Sequence, residues 1–350
     1  MSDVATRPAP SLLANPWIKA GLILAAIVIA AIIGARLDGS GTLHAIFVDP
    51  FQQMAQAPDL LVQTIWEGLV SGVLYALIAL GFVLIFKASG VFNFAQGVMV
   101  LFAALTLVGL MERGAPVMLA LVLTMAVMVA LAFAIEKLVL RPLVNQEYII
   151  LFMATIGLNF FLEGFGEMVW GANVKRLDVG IPDRSFMLKG VQINQLELTA
   201  AITAAVLVTV LAVFFQRTRI GRALRAVADD HEAALSIGIP LKTIWVVVWS
   251  VSGLVALVAG VMWGAKSGVQ FSLSLIALKA LPVLILGGFT SVPGAIAGGL
   301  IIGVGEKVAE VYWGPLVGGA IENWFAYVLA LGFLLIRPQG LFGEKIIERV

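Results

Sequence analysis

Apolar runs long enough to cross a lipid bilayer recur along almost the whole chain, separated by short polar or glycine-containing breaks. A helix spanning the hydrocarbon core needs about 20 apolar residues, within a range of roughly 17 to 25. On that criterion the pattern predicts ten membrane segments: Ile18 to Ala35, Trp66 to Phe86, Val91 to Met111, Pro116 to Ile135, Tyr148 to Trp170, Leu198 to Phe215, Ile244 to Gly264, Leu275 to Phe289, Gly294 to Val311 and Phe325 to Ile336. The third opens on polar sequence and the eighth and tenth are short, which predicts half-helices or re-entrant elements buried in protein. The apolar part of the first run, Ala20 to Ala35, follows a polar stretch with Arg7 and Lys19 in the manner of a secretory signal. It lacks a small-x-small cleavage site and more spans follow, so it is read as a retained membrane helix.

Three longer connections remain. Arg36 to Ile65 and Gly171 to Glu197 are read as solvated connectors, or as docking surfaces for an extracytoplasmic partner. Gln216 to Thr243 differs, being rich in arginine and closed by Gly238 and Pro240.

Composition supports the same class. Of 350 residues, 61% are hydrophobic and 12% charged, and the mean hydropathy is +1.04. Soluble domains carry about 25% charged residues, so a water-facing surface cannot be built from this chain. The expected fold is an all-α polytopic membrane helix bundle with about 9 to 10 membrane segments. With 22 Lys+Arg against 21 Asp+Glu and no basic block, there is no electrostatic footprint for nucleic acid. Cysteine is absent and the two histidines, His44 and His231, are far apart, which argues against thiol chemistry and metal ligation. Alternating the segments from a cytoplasmic amino terminus puts thirteen basic residues inside and seven outside, as the positive-inside rule requires. Both termini are then cytoplasmic.

Glycines recur at four-residue spacing: Gly68 and Gly72, Gly260 and Gly264, Gly294 and Gly298, Gly299 and Gly303, Gly314 and Gly318. In lipid no hydrophobic force draws helices together, so small residues that let backbones approach supply the contact. Polar, glycine-containing breaks at Gly90 to Gly97 and Gly287 to Gly299 leave room for a weak inverted repeat.

What is missing narrows the function. There is no phosphate loop of the G-x-x-x-x-G-K-[ST] type, no H-E-x-x-H and no G-x-S-x-G elbow. No aspartate lies in any predicted span, so an intramembrane hydrolase lacks its catalytic pair. A self-sufficient secondary carrier or channel remains open; it would need no cytoplasmic coupling loop and would ordinarily show a stronger intramembrane ion site.

Between the sixth and seventh runs, Arg222 and Arg225 share one helical face, and Gly238 suits a left-handed helix terminus before Pro240. Glu232-Ala233-Ala234-Leu-Ser-Ile-Gly238 resembles the E-A-A-x-x-x-G core of the loop by which bacterial ABC importer permeases touch their ATPases. Gly72-Val-Leu-Tyr75, Gly81, Phe86-Lys87 and Gly90-Val-Phe-Asn93-Phe-Ala-Gln96-Gly97 are similar to the LivH-type permease of branched-chain amino-acid ABC importers. Leu286-Gly-Gly288, Ser291, Gly294 to Gly299 and Arg337-Pro-Gln-Gly340-Leu-Phe-Gly343 agree as well. Val98 stands where many members of that family carry Glu, and the first 60 or so residues precede the family's usual core.

The resemblance implies one half of a translocation pathway in the bacterial inner (cytoplasmic) membrane, paired with a related second permease. Two cytoplasmic ATPases would hold the ATP and Mg, and a periplasmic binding protein would deliver the cargo; the chain itself would carry no catalytic residue, cofactor or metal. Branched-chain or related hydrophobic amino acids are the expected cargo, with urea, short amides or aromatic acids as alternatives on the same architecture. The division it implies is an N-terminal extension over 1–63, a permease domain over 64–343 with the coupling segment at 216–243, and a cytoplasmic tail over 344–350. Arg222, Arg225, Glu232, Ala233, Ala234 and Gly238 are the expected contacts to the ATPase.

For the pathway, the residues to watch are polar groups at membrane depth. Asn93 and Gln96 can point the same way and suit an amino acid's backbone groups, or they can brace a broken helix. Asn159 and Glu163 lie four apart on the fifth span, where a charge costs about 2.5 to 3.5 kcal/mol unless it faces an interior or a water-filled space. Interhelical hydrogen bonding is the simpler role for that pair. Lys279 is expected to snorkel toward an interface, and Glu306 and Lys307 to make partner contacts.

Overall fold

The computed structural model describes residues 41–143, 146–229 and 231–343. The run Ile18 to Ala35 and the tail beyond Gly343 lie outside the described residues. Two short helices, α1 (Thr42–Phe47) and α2 (Asp49–Gln56), lead into α3 (Pro58–Ser89). Then come α4 (Gln96–Glu112), α5 (Val117–Ile135), α6 (Tyr148–Trp170), a hairpin of β1 (Ser185–Leu188) and β2 (Val191–Asn194), and α7 (Gln195–Arg217). The second half holds α8 (Arg219–Asp229), α9 (His231–Ser236), α10 (Leu241–Ser267), α11 (Ile276–Gly287), α12 (Val292–Tyr312), α13 (Gly314–Val317) and α14 (Phe325–Ile336). Six of these helical stretches are long and apolar enough to cross a membrane, and three shorter apolar ones accompany them.

The sequence places α6 and α14 at their observed bounds, but the stretch Arg36 to Ile65 departs from expectation. Its described part is helical rather than a solvated loop, because Pro50 and Pro58 occupy first-turn positions where a missing N–H costs nothing. Gly171 to Glu197 also carries structure. Lys189 and Gly190 both have positive φ, 50° and 86°, as a two-residue hairpin turn requires. The Gln63 side chain then pairs with the backbone of Gln192 in both directions, at 3.0 and 2.7 Å, and ties the hairpin to α3.

Helix α3 is buried along most of its length and forms the axis of the bundle. Its main partner is α12, and the glycines explain the fit. A methyl group placed on Gly72 would lie 2.6 Å from the Gly299 carbonyl oxygen, and one on Gly299 the same 2.6 Å from the Gly72 carbonyl. On Gly68 it would meet the Val304 Cα at 2.6 Å. The two glycine pairs therefore face each other across one interface, as small-residue packing in lipid predicts. Gly260 does the same for α10 against the Val100 carbonyl of α4, again at 2.6 Å. Gly314 and Gly318 are different: they bracket the single turn of α13, and Gly318 terminates it with φ 85°.

The anticipated breaks are real. Gly90, at φ 69°, ends α3, and the chain doubles back through Val91 to Ala95 before α4 begins. The second break is shorter than expected: Gly288, at φ 102°, ends α11 and α12 begins at Val292, so Gly294 to Gly299 are helical, while an unanticipated 3-10 turn, Phe271–Leu275, precedes α11. Gly97 lies directly against the Ser274 carbonyl, so the two interrupted segments meet.

Candidate functional site

Three groups of side chains stand out, at the end of α7, at the broken helices and along α12. At the end of α7 the chain folds back sharply into α8. Thr218 Oγ1 accepts from the Gly221 N–H at 3.1 Å and caps the new helix, while Gly221 abuts the Phe215 carbonyl too closely for any side chain. Arg225 donates through Nη1 to the Phe215 carbonyl at 2.7 Å and through Nη2 to that of Gln216 at 3.3 Å. Arg222 Nη1 approaches the Arg217 carbonyl at 3.4 Å. Both arginines thus sit on the free carbonyls at the negative end of α7.

Beyond α8, Ala234 is buried whereas Ala233 and Gly238 are exposed. Ile237 projects with 73% of its surface free. Gly238 adopts φ 84°, and the Ile239 N–H returns to the Ala234 carbonyl at 3.0 Å, closing α9 with a Schellman-type turn. Nothing lies within 4 Å of where a Gly238 side chain would begin. Glu232 sits within α9, and its side chain lies outside the described residues.

Asn93 and Gln96 are completely enclosed. Asn93 Oδ1 accepts from the Ala95 N–H at 3.1 Å, turning the chain into α4. Gln96 Oε1 accepts from Ser252 Oγ on α10 at 2.6 Å, and that hydroxyl also reaches toward the Gly81 carbonyl at 3.4 Å. Gly81 has no side chain where the Gln96 amide needs room. This geometry braces the break between α3 and α4. Ser252 and Gly81 escape a sequence reading because their partner is more than 150 positions away on another helix, or is simply the space left by a missing methyl.

Asn159 and Glu163 behave differently. Both line a cleft of about 230 Å³ walled by Phe82, Phe92, Phe94 and Phe160, with Ser274 and Leu278 on the far side. Phe82 and Phe92 stack at 4.7 Å, and Phe94 meets Phe92 edge-on at 6.5 Å. Each is half-buried, and among the described residues neither side chain has a hydrogen-bond or ion-pair partner. The interhelical role expected for this pair is thus not seen within the chain.

The charges on α11 and α12 depart from expectation. Lys279 does not snorkel free: its Nζ donates to Glu306 Oε1 at 2.9 Å and lies 3.8 Å from Glu322. Tyr75 on α3 donates to the same Glu306 oxygen at 3.1 Å, and Lys307 pairs with Glu322 at 3.2 Å. Glu306 and Tyr75 are buried while Lys279, Lys307 and Glu322 are partly exposed, so these groups form one polar network, sealed at Glu306, that links α3, α11, α12 and the turn before α14.

The model of the family described as "Branched-chain amino acid transport system / permease component" matches residues 64–337. The chain belongs to that family. The permease is 29% identical over 304 residues to the high-affinity branched-chain amino acid transport system permease protein BraD of Pseudomonas aeruginosa, covering 83% of this chain and 98% of that protein. It is 29% identical over 309 residues to LivH of Escherichia coli K12, covering 83% and 97%. A probable LivH of Methanocaldococcus jannaschii is 28% identical over 303 residues, covering 81% and 94%. The permease is accordingly a membrane transport subunit, of a family whose ABC importers work with ATPase subunits and a binding protein. Among the described residues no group of His, Cys, Asp or Glu side chains is arranged to hold a metal ion.

Proposed function

We propose that this permease forms half of the pathway of an ATP-driven importer for branched-chain or related hydrophobic amino acids. A periplasmic binding protein delivers the cargo, a related second permease completes the conduit, and two cytoplasmic ATPases drive it. In this reading residues 1–63 are an addition to a permease domain over 64–343, both termini are cytoplasmic and the membrane is the bacterial inner membrane.

The observation that carries the cargo class is the cleft around Glu163. An unpaired carboxylate on a membrane helix is costly, and it persists where an occupant compensates it. A zwitterionic amino acid offers an ammonium to Glu163, a carboxylate to the Asn159 amide, and an aliphatic side chain to the phenylalanine walls. Asn93 and Gln96 act on the pathway indirectly, by fixing the bend that presents Phe92 and Phe94. Urea or a short amide would leave the apolar walls unmatched, which favours the hydrophobic amino acid.

Coupling falls to α8 and α9. Arg222 and Arg225 fasten the segment to α7, while Ala233, Ala234 and Gly238, with Glu232 beside them, form the knob an ATPase groove can grip. Motion there is passed through the α7 end into the bundle as a rigid-body shift.

Uptake of labelled leucine by the reconstituted complex tests the cleft. Glu163→Gln should raise the KM for uptake about tenfold or more, with basal ATP hydrolysis unchanged and Glu163→Asp partly restoring it. Wild-type uptake kinetics in Glu163→Gln would remove Glu163 from the pathway.

A further inference from the structure

At the end of the bundle that carries α8, a second hollow of about 190 Å³ opens between α3, α7, α8 and the start of α12. Its rim holds two cations, Lys87 and Arg225, together with Thr290 and Ser291, and among the described residues no carboxylate contributes to the lining. Neither cation forms an ion pair within 4 Å among the described residues. The single hydrogen bond of Lys87 is a long one, 3.4 Å to the Thr290 carbonyl. Arg225 spends two of its five N–H donors on the α7 carbonyls, and the others have no partner among the described residues, which do not include the Asp229 side chain one turn further on. Leu84, Phe215, Leu224 and Phe342 supply the remaining wall, which is apolar.

Two cations with no carboxylate partner among the described residues, over an apolar wall at the mouth of a membrane bundle, make a site for a phosphate group whose ester continues into apolar surroundings. We infer that this hollow binds the phosphate of an anionic phospholipid head, held between Lys87 and Arg225. The occupant would bridge the core helix α3 to the coupling helix α8, so the anionic lipid content of the membrane would set how firmly the coupling segment is held. Basic pockets between helices at the cytoplasmic interface recognise lipid heads by this chemistry.

The test is lipid retention by the purified full complex in detergent, counted by native mass spectrometry after exposure to phosphatidylglycerol or phosphatidylcholine. The wild type should retain phosphatidylglycerol about fivefold better than phosphatidylcholine for each cation engaged. Lys87→Gln should lose about that factor, and Lys87→Arg should keep it. Competition by millimolar inorganic phosphate that is lost in Lys87→Gln would place a phosphate anion at the site and identify free phosphate as a sufficient ligand. Equal retention of the two lipids by the wild type, or undiminished phosphatidylglycerol retention in Lys87→Gln, would overturn the assignment. Unchanged assembly of Lys87→Gln by gel filtration separates loss of the site from loss of the fold.

Discussion

Lys279 on α11 and Glu306 on α12 form an ion pair at 2.9 Å whose carboxylate is sealed inside the protein and also accepts the Tyr75 hydroxyl. α11 carries Ala277, Leu278 and Leu281 into the Glu163 cleft, so the pair fixes one wall of that cleft to the central α3 and α12. Removing Lys279 leaves the buried Glu306 carboxylate uncompensated, at a cost of about 3 to 5 kcal/mol, and removing the Glu306 charge leaves Lys279 only the longer contact to Glu322. Lys279→Met and Glu306→Gln should each lower the thermal unfolding midpoint of the purified subunit sharply, and the double variant should lose less than the sum of the two. Strict additivity would show that the two groups do not depend on each other.

Glu322 adds a pH dependence to this end of the molecule. Burial acts to raise its pKa, but Lys307 at 3.2 Å and Lys279 at 3.8 Å outweigh burial and hold the carboxyl below its ordinary value. A group whose pKa is lower in the folded state contributes stability at pH values above its unfolded pKa, and the contribution is lost as pH falls through the folded pKa. The stability gap between wild type and Glu322→Gln should therefore hold from neutral pH down to the ordinary glutamate pKa of about 4.3, then close below it. A gap already closed at pH 6 would contradict the pairing.

The glycine interface predicts opposite signs for the same substitution at different sites. Gly72→Ala must push α3 from α12, because its methyl would meet the Gly299 carbonyl at 2.6 Å, and a loss of about 2 kcal/mol or more is expected. Gly157 on α6 has nothing within 4 Å, so Gly157→Ala should stabilise by about 0.5 to 1 kcal/mol through helix propensity alone. Melting of the two variants beside wild type checks both signs at once.

How far the sequence could be read depends on which physical signal each feature leaves. Tyr148–Trp170 and Phe325–Ile336 were legible to the residue because a mainly apolar run marks both ends of a helix directly, whether or not it is long enough to span. The helices α1 and α2 left no such trace: they are short and mix Gln52 and Gln53 with apolar residues, so a criterion built for spans passes over them. Glycine spacing marked the interface faces but not which faces would meet. The Lys279 to Glu306 pair was invisible because 27 positions and a helical turn-around separate the partners. Asn159 and Glu163 were visible as misplaced polarity, whereas nothing in the sequence marks Phe82, Phe92, Phe94 and Phe160 as one wall, because they come from three separate segments.

Gly238 gives the coupling segment its own test. Its φ of 84° is one that a side chain resists, at a cost of about 1 to 2 kcal/mol, yet the space around it is open. Gly238→Trp should spare insertion and binding-protein docking while lowering cargo-stimulated ATP hydrolysis severalfold, and Glu232→Lys should do the same. Wild-type stimulation in both variants would place the ATPase contact elsewhere.

The central claim is that this chain is a passive conduit moved by ATPases bound at α8 and α9. Cargo uptake into liposomes, measured with the chain alone and with its sister permease, ATPases and binding protein, tests it most directly. The account predicts uptake only for the complete set with ATP inside reach of the ATPases. Accumulation by the chain alone, with no companion protein and no nucleotide, would contradict it.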